Sequence, residues 1–237
     1  MNYSEAGPST YGTTARLFLA TTSPLQKLVD QPIEVVHSSC NHAAIQILKN
    51  DGWTKEGNLL AKYLEHINDG ASWADKDWKN ISHYYNPLTG LGLRGWPSAP
   101  EECSRYFMLA QSCFKRLYFE EAFFYLGAAV HLVQDLCVPY HSHNVVLSGH
   151  HRYEKWAENH VEDYQVFSGG LYQCKLQNPG EWVHLNARTS YDLFSLVKDS
   201  SVKAYHLATG LMLPLTQRTT AGFFHYFLDQ SFIPVNN

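Results

Sequence analysis

The stretch FEEAFFYLGAAVHLVQDLCVPYH, residues 119–141, decides how the chain is read. Its apolar side chains recur at a helical rather than an alternating period, and Pro139 stops them, which predicts a helix over Phe119 to Val138. His131 and Asp135 stand four apart on that helix and so project from one face. They follow AFFYLGAAV, which reads as buried, and a buried His and Asp need partners. A mutual hydrogen bond is the structural way to satisfy them. The chemical way is a metal, because His and carboxylate on one side of a helix make a natural zinc half-site. Pro139 favours the metal, since the break it imposes lets His141 turn back toward the same face.

Reading outward, the pattern stays helical. Helices are predicted over Val36 to Leu48, ended by Asp51-Gly52, and over Thr54 to Ile67, closed by Asn68-Asp69-Gly70. Residues 71–100 are punctuated by Trp, Asn, Pro and Gly and read as a long loop carrying polar groups. Helices resume from Pro100-Glu101-Glu102 to Arg116, from about His151 to Tyr164, from Ala187 to Ala208 and from Thr219 to Gln230, with 167–181 irregular. No strand-and-hairpin alternation recurs. The expected fold class is all-α, a single multi-helix domain over 31–237 preceded by an irregular arm or leader over 1–30.

Composition narrows the function. Charge is -4 with no basic stripe, so nucleic-acid binding has no electrostatic support. No apolar run approaches the roughly 20 residues of a membrane-spanning helix. The apolar patch Ala15 to Ala20 is too short and polar-flanked to read as a signal peptide. The five cysteines are an odd number and form no CxxC, which argues against both a full disulfide framework and a thiolate zinc site. Histidine is the outlier, with 13 copies, several of them crowded between His131 and His160.

That crowding supplies further candidates. His150 and Glu154 repeat the spacing of four at the start of the next helix, with His151 as a rival three from Glu154. The long loop offers Asp75 and His83, with Asp77 as a rival for Asp75. His37 opens the first long helix. His66, His160, His184, His206 and His225 lack a defensible partner at ligand spacing and read as structural. An HxxxD alone is common by chance. HxxxD, a His six residues on, and HxxxE within twenty residues is much rarer.

These residues carry a resemblance. EEAFFYLGAAVHLVQDLCVPYHSHN resembles the central ligand helix and following loop of the zinc-dependent bacterial phospholipases C, which share a superfamily with the S1/P1 nucleases. HSSCNHAAIQIL, WADKDWKNISHYYNP, GHHRYEKWAE, NPGEWVH and QRTTAGFFHYFLD resemble the family's other segments in order, over about residues 35–230. The resemblance implies two or three zinc ions. It assigns Asp75, His83, His131 and Asp135 to the first, His141, His150 and Glu154 to the second, and His37 with a bridging Asp135 to the third. It prefers His150 over His151, because the family's His stands four before its Glu, and makes Asp75 the general base. It implies an exported enzyme, a monomer acting on phospholipid at a membrane surface, which yields diacylglycerol and a phosphorylated headgroup.

Two features depart from the family. Its mature chain begins with a Trp whose amino group and carbonyl complete the third zinc, whereas 36 residues precede His37 here and none is Trp. Three outcomes stay open on the sequence: cleavage near Thr22 to Val29 supplies the amino group, another group completes that position, or the third metal is weakly held. Where relatives hold choline with aromatic and acidic side chains, this chain has Lys76 and Asn80; Trp73, Trp78, Tyr84 and Tyr85 are the candidates for an aromatic wall instead. Two other readings compete. An S1/P1-type nuclease is disfavoured by Glu154, where those enzymes use Asp, and by the charge. A non-catalytic zinc-binding homologue draws support from the missing Trp and is opposed by every other filled position.

Overall fold

The computed structural model describes residues 34–147, 149–172, 176–198 and 201–232. The expected arm over 1–30 and the proposed cleavage near Thr22 to Val29 lie outside them. The α-helices are α1 (Glu34–Asn50), α2 (Thr54–Lys62), α3 (Leu64–Asp75), α4 (Ala99–Lys115), α5 (Phe119–Asp135), the single turn α6 (Pro139–Ser142), α7 (His150–Glu158), α8 (Pro179–Tyr191), the short α9 (Phe194–Lys198) and α10 (Val202–Phe232). Two 3-10 helices, Asp77–His83 and Val161–Tyr164, follow α3 and α7. Among the described residues there is no strand, only an isolated antiparallel bridge between Asn86 and Leu91. The fold is all-α.

Helix α5 is the axis. Every residue from Leu126 to Asp135 is buried, as expected of a helix that is apolar around nearly its whole circumference. Helices α3, α4, α8 and α10 pack around it. Phe107, Phe114, Phe123, Phe223 and Phe227 interlock edge to face on one side, an arrangement that aromatic quadrupoles favour.

The crossing of α3 over α5 is unusually close. A Cβ on Gly70 would stand 1.8 Å from the carbonyl oxygen of Phe124, and one on Gly127 would stand 2.0 Å from that of Ile67. Backbone meets backbone, and only glycine fits. This crossing brings the C-terminal ends of both helices to the same place: Asp75 is the last residue of α3 and Asp135 the last of α5.

Several predicted boundaries are corrected. The helix expected over Thr54 to Ile67 breaks at Tyr63 into α2 and α3. Asn68-Asp69-Gly70, expected to close it, lies inside α3, where Asn68 is hydrogen-bonded to Asn41 and Gly70 serves the crossing. Tertiary packing overrides the local stop signal. The loop expected over 71–100 is helical through His83. The helix expected to Tyr164 ends at Glu158. The helix expected over Ala187 to Ala208 is the end of α8, then α9, then the start of α10; the last predicted helix is the C-terminal part of α10, which runs through Pro214. The starts at Pro100 and Phe119 were legible. At the first of these, the Glu101 carboxylate accepts from the backbone N–H of Ser98 at 2.7 Å, closing a capping box.

Candidate metal centre

Helix α5 presents His131 and Asp135 one turn apart, and α3 delivers Asp75 beside them. The 3-10 helix carries His83 inward, and α6, opened by Pro139 as the sequence predicts, carries His141. Helix α7 supplies His150 and Glu154; α1 supplies His37 from the far side.

All eight predicted side chains come together. Asp135 Oδ2 lies 2.8 Å from His83 Nδ1, 3.2 Å from His131 Nε2 and 3.9 Å from His141 Nδ1. Its Oδ1 lies 3.3 Å from His37 Nε2. Asp75 Oδ1 is 3.8 Å from His83 Nδ1 and 3.9 Å from His131 Nε2. Glu154 Oε1 is 2.8 Å from His150 Nε2 and 3.4 Å from His141 Nε2. Three groups have the compactness a metal ion needs: His37 with His131 and Asp135, Asp75 with His83 and His131, and His141 with His150 and Glu154. His131 thus reaches the position occupied by His37 and Asp135 as well as its own. Of the rivals, His151 is exposed, and Asp77 points outward to Lys79 at 3.1 Å.

The outer ring nitrogens reveal what the inner ones want. His83 Nε2 lies 3.1 Å from the carbonyl of Ala74, and His141 Nδ1 lies 2.9 Å from the carbonyl of His83. A carbonyl only accepts, so those nitrogens carry the proton. His37 Nδ1 likewise donates to Gln134 Oε1 at 2.7 Å, while the amide nitrogen of Gln134 donates to Asn41 and Thr220. In the neutral rings the opposite nitrogens are therefore bare lone pairs, and each is aimed at a carboxylate. Lone pair against carboxylate is repulsive unless a cation or a second proton lies between. The outer bonds are the orienting contacts typical of metal-bound imidazole, and the donor set of nitrogen and oxygen suits zinc.

Where protons fill those gaps, the titration shifts follow. Burial pulls His37 down, but the hydrogen bond and charge of Asp135 prevail and raise it to about 9. Burial pushes Asp135 up, yet His131 and His141 hold it well below the usual carboxylate range. Burial likewise opposes Glu154, and His150 and His141 bring it down to about 2. His131 is lowered, chiefly by burial.

Stacked rings hold the imidazoles in place: Tyr84 against His141 at 4.8 Å between ring centroids and Tyr140 against His150 at 5.2 Å. This limits the expected aromatic wall. Tyr84 and Tyr85 are buried, Tyr85 bonds to His184, and Trp73 packs against Tyr106 and Phe124. The histidines read as structural have ring partners away from the cluster, such as Trp53 for His225 and Trp156 for His160. Sequence reading missed Gln134, Asn41 and Thr220. The available signal was Gln134 itself, a lone polar residue between His131 and Asp135 on a buried helix.

The fold and cluster define a class of all-helical protein that holds metal with His and carboxylate groups. The family described as zinc dependent phospholipase C matches residues 36–199, and the chain belongs to it. A phospholipase C of Bacillus cereus is 28% identical over 200 residues, covering 74% of this chain and 68% of that protein. A phospholipase C of Paraclostridium bifermentans is 24% identical over 232 residues, covering 82% of this chain and 58% of that protein. The alpha toxin of Clostridium absonum superposes with a TM-score of 0.75 at 23% identity, over 83% of this chain and 64% of the toxin chain, a likeness of fold. The protein is a zinc-dependent hydrolase of the phospholipase C type.

Proposed function

We propose that this chain cleaves the phosphodiester of phospholipids to diacylglycerol and a phosphorylated headgroup, with His37, Asp75, His83, His131, Asp135, His141, His150 and Glu154 holding two or three zinc ions. One observation carries the assignment. His37, His83 and His141 each spend one ring nitrogen on an outer carbonyl-type acceptor and turn the other toward Asp135 or Glu154.

Zinc held by these groups supplies positive charge for the phosphate and lowers the pKa of a water molecule toward neutrality. The chain's own residues do the rest. Asp135 has an oxygen for each of two neighbouring positions, Oδ1 toward His37 and Oδ2 toward His83 and His131. Asp75 is the general base: its side chain is 27% exposed against 6% for Asp135, so the incoming water reaches it first. It takes the proton as that water attacks phosphorus opposite the glycerol oxygen; the bond from phosphorus to that oxygen breaks, and the oxygen leaves as the hydroxyl of diacylglycerol with a proton from solvent. Tyr84 and Tyr140 exclude water from behind the imidazoles.

Export from the cell, action at a phospholipid surface and a monomeric state belong to the same proposal and rest on the resemblance. No helix among the described residues is long and apolar enough to cross a membrane. The test is product analysis with zinc-loaded protein. Release of a phosphorylated headgroup from phospholipid, with single-stranded DNA left intact, is the expected result. Cleavage of DNA without headgroup release would replace this reading with the nuclease one.

A further inference from the structure

Of the histidines crowded between His131 and His160, His143 belongs to none of the three groups compact enough for a metal. It directly follows α6, the turn that carries His141. Its ring lies 3.9 Å from that of Tyr191, with 12° between their planes, and 4.1 Å from that of Phe194, with 19° between them. Two parallel rings that near cannot share one face, so Tyr191 and Phe194 clasp the imidazole from opposite sides. His143 Nε2 also donates to the Tyr191 carbonyl at 2.9 Å. The ring is thus turned to the corner where α8 ends at Tyr191 and α9 begins at Phe194.

The same corner grips the other side of His141. The Tyr140 hydroxyl donates to the Val197 carbonyl at 3.0 Å, and Phe194 meets the Tyr140 ring edge-on at 5.3 Å. Tyr140 in turn stacks on His150. The second group, His141 with His150 and Glu154, therefore rests on a footing of its own. Its apolar support is the small cluster of Tyr140, Tyr153, Val197, Tyr205 and Ala208, against which Phe194 packs. Helices α1, α3 and α5, which carry His37, Asp75, His131 and Asp135, stand instead on the main core through Ile47, Ile67 and Val133. A small cluster buries little apolar area, so each contact at its edge counts for more. A disturbance at this corner reaches the second group before the other two.

We propose that His143, clasped between Tyr191 and Phe194, is a positioning residue that holds His141 in place for the second metal. The inference rests on the zinc-binding reading of His141, His150 and Glu154. His143 touches neither metal nor substrate. It acts by fixing the backbone just after His141, while the His83 carbonyl and the Tyr84 ring fix the imidazole itself.

Zinc bound per chain is counted after dialysis, zinc affinities are measured by competition with a chelator, and melting of the metal-free protein reports folding. His143→Ala is expected to weaken one zinc by about tenfold or more, to leave the others within about twofold, and to regain its rate in excess zinc. The zinc it weakens is the one that Glu154→Gln removes, so adding His143→Ala to Glu154→Gln costs no further zinc. His143→Phe, which keeps a ring in the clasp, is expected to bind within about threefold of wild type. Phe194→Leu, which removes one face of the clasp and keeps its bulk, is expected to weaken the same zinc by about threefold or more. His143→Ala or Phe194→Leu with wild-type zinc affinities would overturn the proposal. So would zinc ions that all weaken alike, further loss in the Glu154→Gln background, or His143→Phe as weak as His143→Ala. Wild type holding no zinc that Glu154→Gln removes would instead sink the second metal group, and this role with it.

Discussion

His83 Nδ1 lies 2.8 Å from Asp135 Oδ2 while the far side of the same ring gives its proton to the carbonyl of Ala74. A neutral ring in that position sets a lone pair against a carboxylate. The pair is built for something positive between them, and the same logic repeats at His37 and His141.

Asp135 turns one oxygen to His37 and the other to His83 and His131, the arrangement that the proposed bridging role requires. Asp135→Asn is expected to remove more zinc and more activity than any other single substitution, by more than about a hundredfold in rate. Zinc content and headgroup release on the purified variant check this. A larger loss in Glu154→Gln than in Asp135→Asn would move the bridging role elsewhere.

His150 is buried with Nε2 against Glu154, whereas His151 is exposed. His150→Ala is expected to lose one zinc and more than about a hundredfold in rate. His151→Ala is expected to stay within about threefold of wild type, as surface changes usually do. The reverse order would refute the assignment.

Gly127 lets α5 touch the backbone of Ile67, and that contact sets the distance from Asp75 to His131. Gly127→Ala is expected to cost about 3 kcal/mol in stability, because backbone rather than a yielding side chain meets the new methyl. It is also expected to weaken zinc binding, since Asp75 retreats. Thermal melts with and without zinc separate the two effects.

His37 in the metal-free protein titrates near 9 against an ordinary 6.5, so folding raises its proton affinity. Such a group contributes stability that is complete below about pH 6.5 and lost as pH rises through about 9. His150, also raised because Glu154 outweighs burial, acts with the same sign. His131 is lowered, so its contribution falls away below about pH 6.5, outside that window. The melting temperature of chelated protein is therefore expected to decline from pH 6.5 to 9, and His37→Gln to flatten much of that decline. Zinc displaces the same proton, so zinc affinity rises over the range in which metal-free stability falls. A chelated protein whose melting temperature is constant from pH 6.5 to 9 would contradict the assignment of His37.

How far the sequence revealed this depends on which physics carried each part. His131, Asp135, His141 and Glu154 were legible because helical spacing and one proline place them, and those signals are local; His150 over His151 was decided by the family resemblance alone. The choice of Asp75 over Asp77 was open on spacing alone. It turns on where α3 ends, and the sequence pointed to a loop there. The Gly70–Gly127 crossing was hidden for the same reason: Asn68-Asp69-Gly70 reads as a stop, and only a neighbouring helix makes that glycine a contact. Gln134 carried a signal that went unused, a polar side chain on an otherwise apolar buried helix. Its partners His37, Asn41 and Thr220 come from distant segments, and no local pattern joins them.

The central claim is that eight side chains from α1, α3, α5, α6, α7 and the 3-10 helix after α3 converge on one pocket that binds zinc. Anomalous scattering at the zinc edge, on crystals of the zinc-loaded protein, tests it most directly. Two or three peaks a few ångströms apart, bounded by His37, Asp75, His83, His131, Asp135, His141, His150 and Glu154, are predicted. A single peak, or peaks held by other residues, would contradict the account.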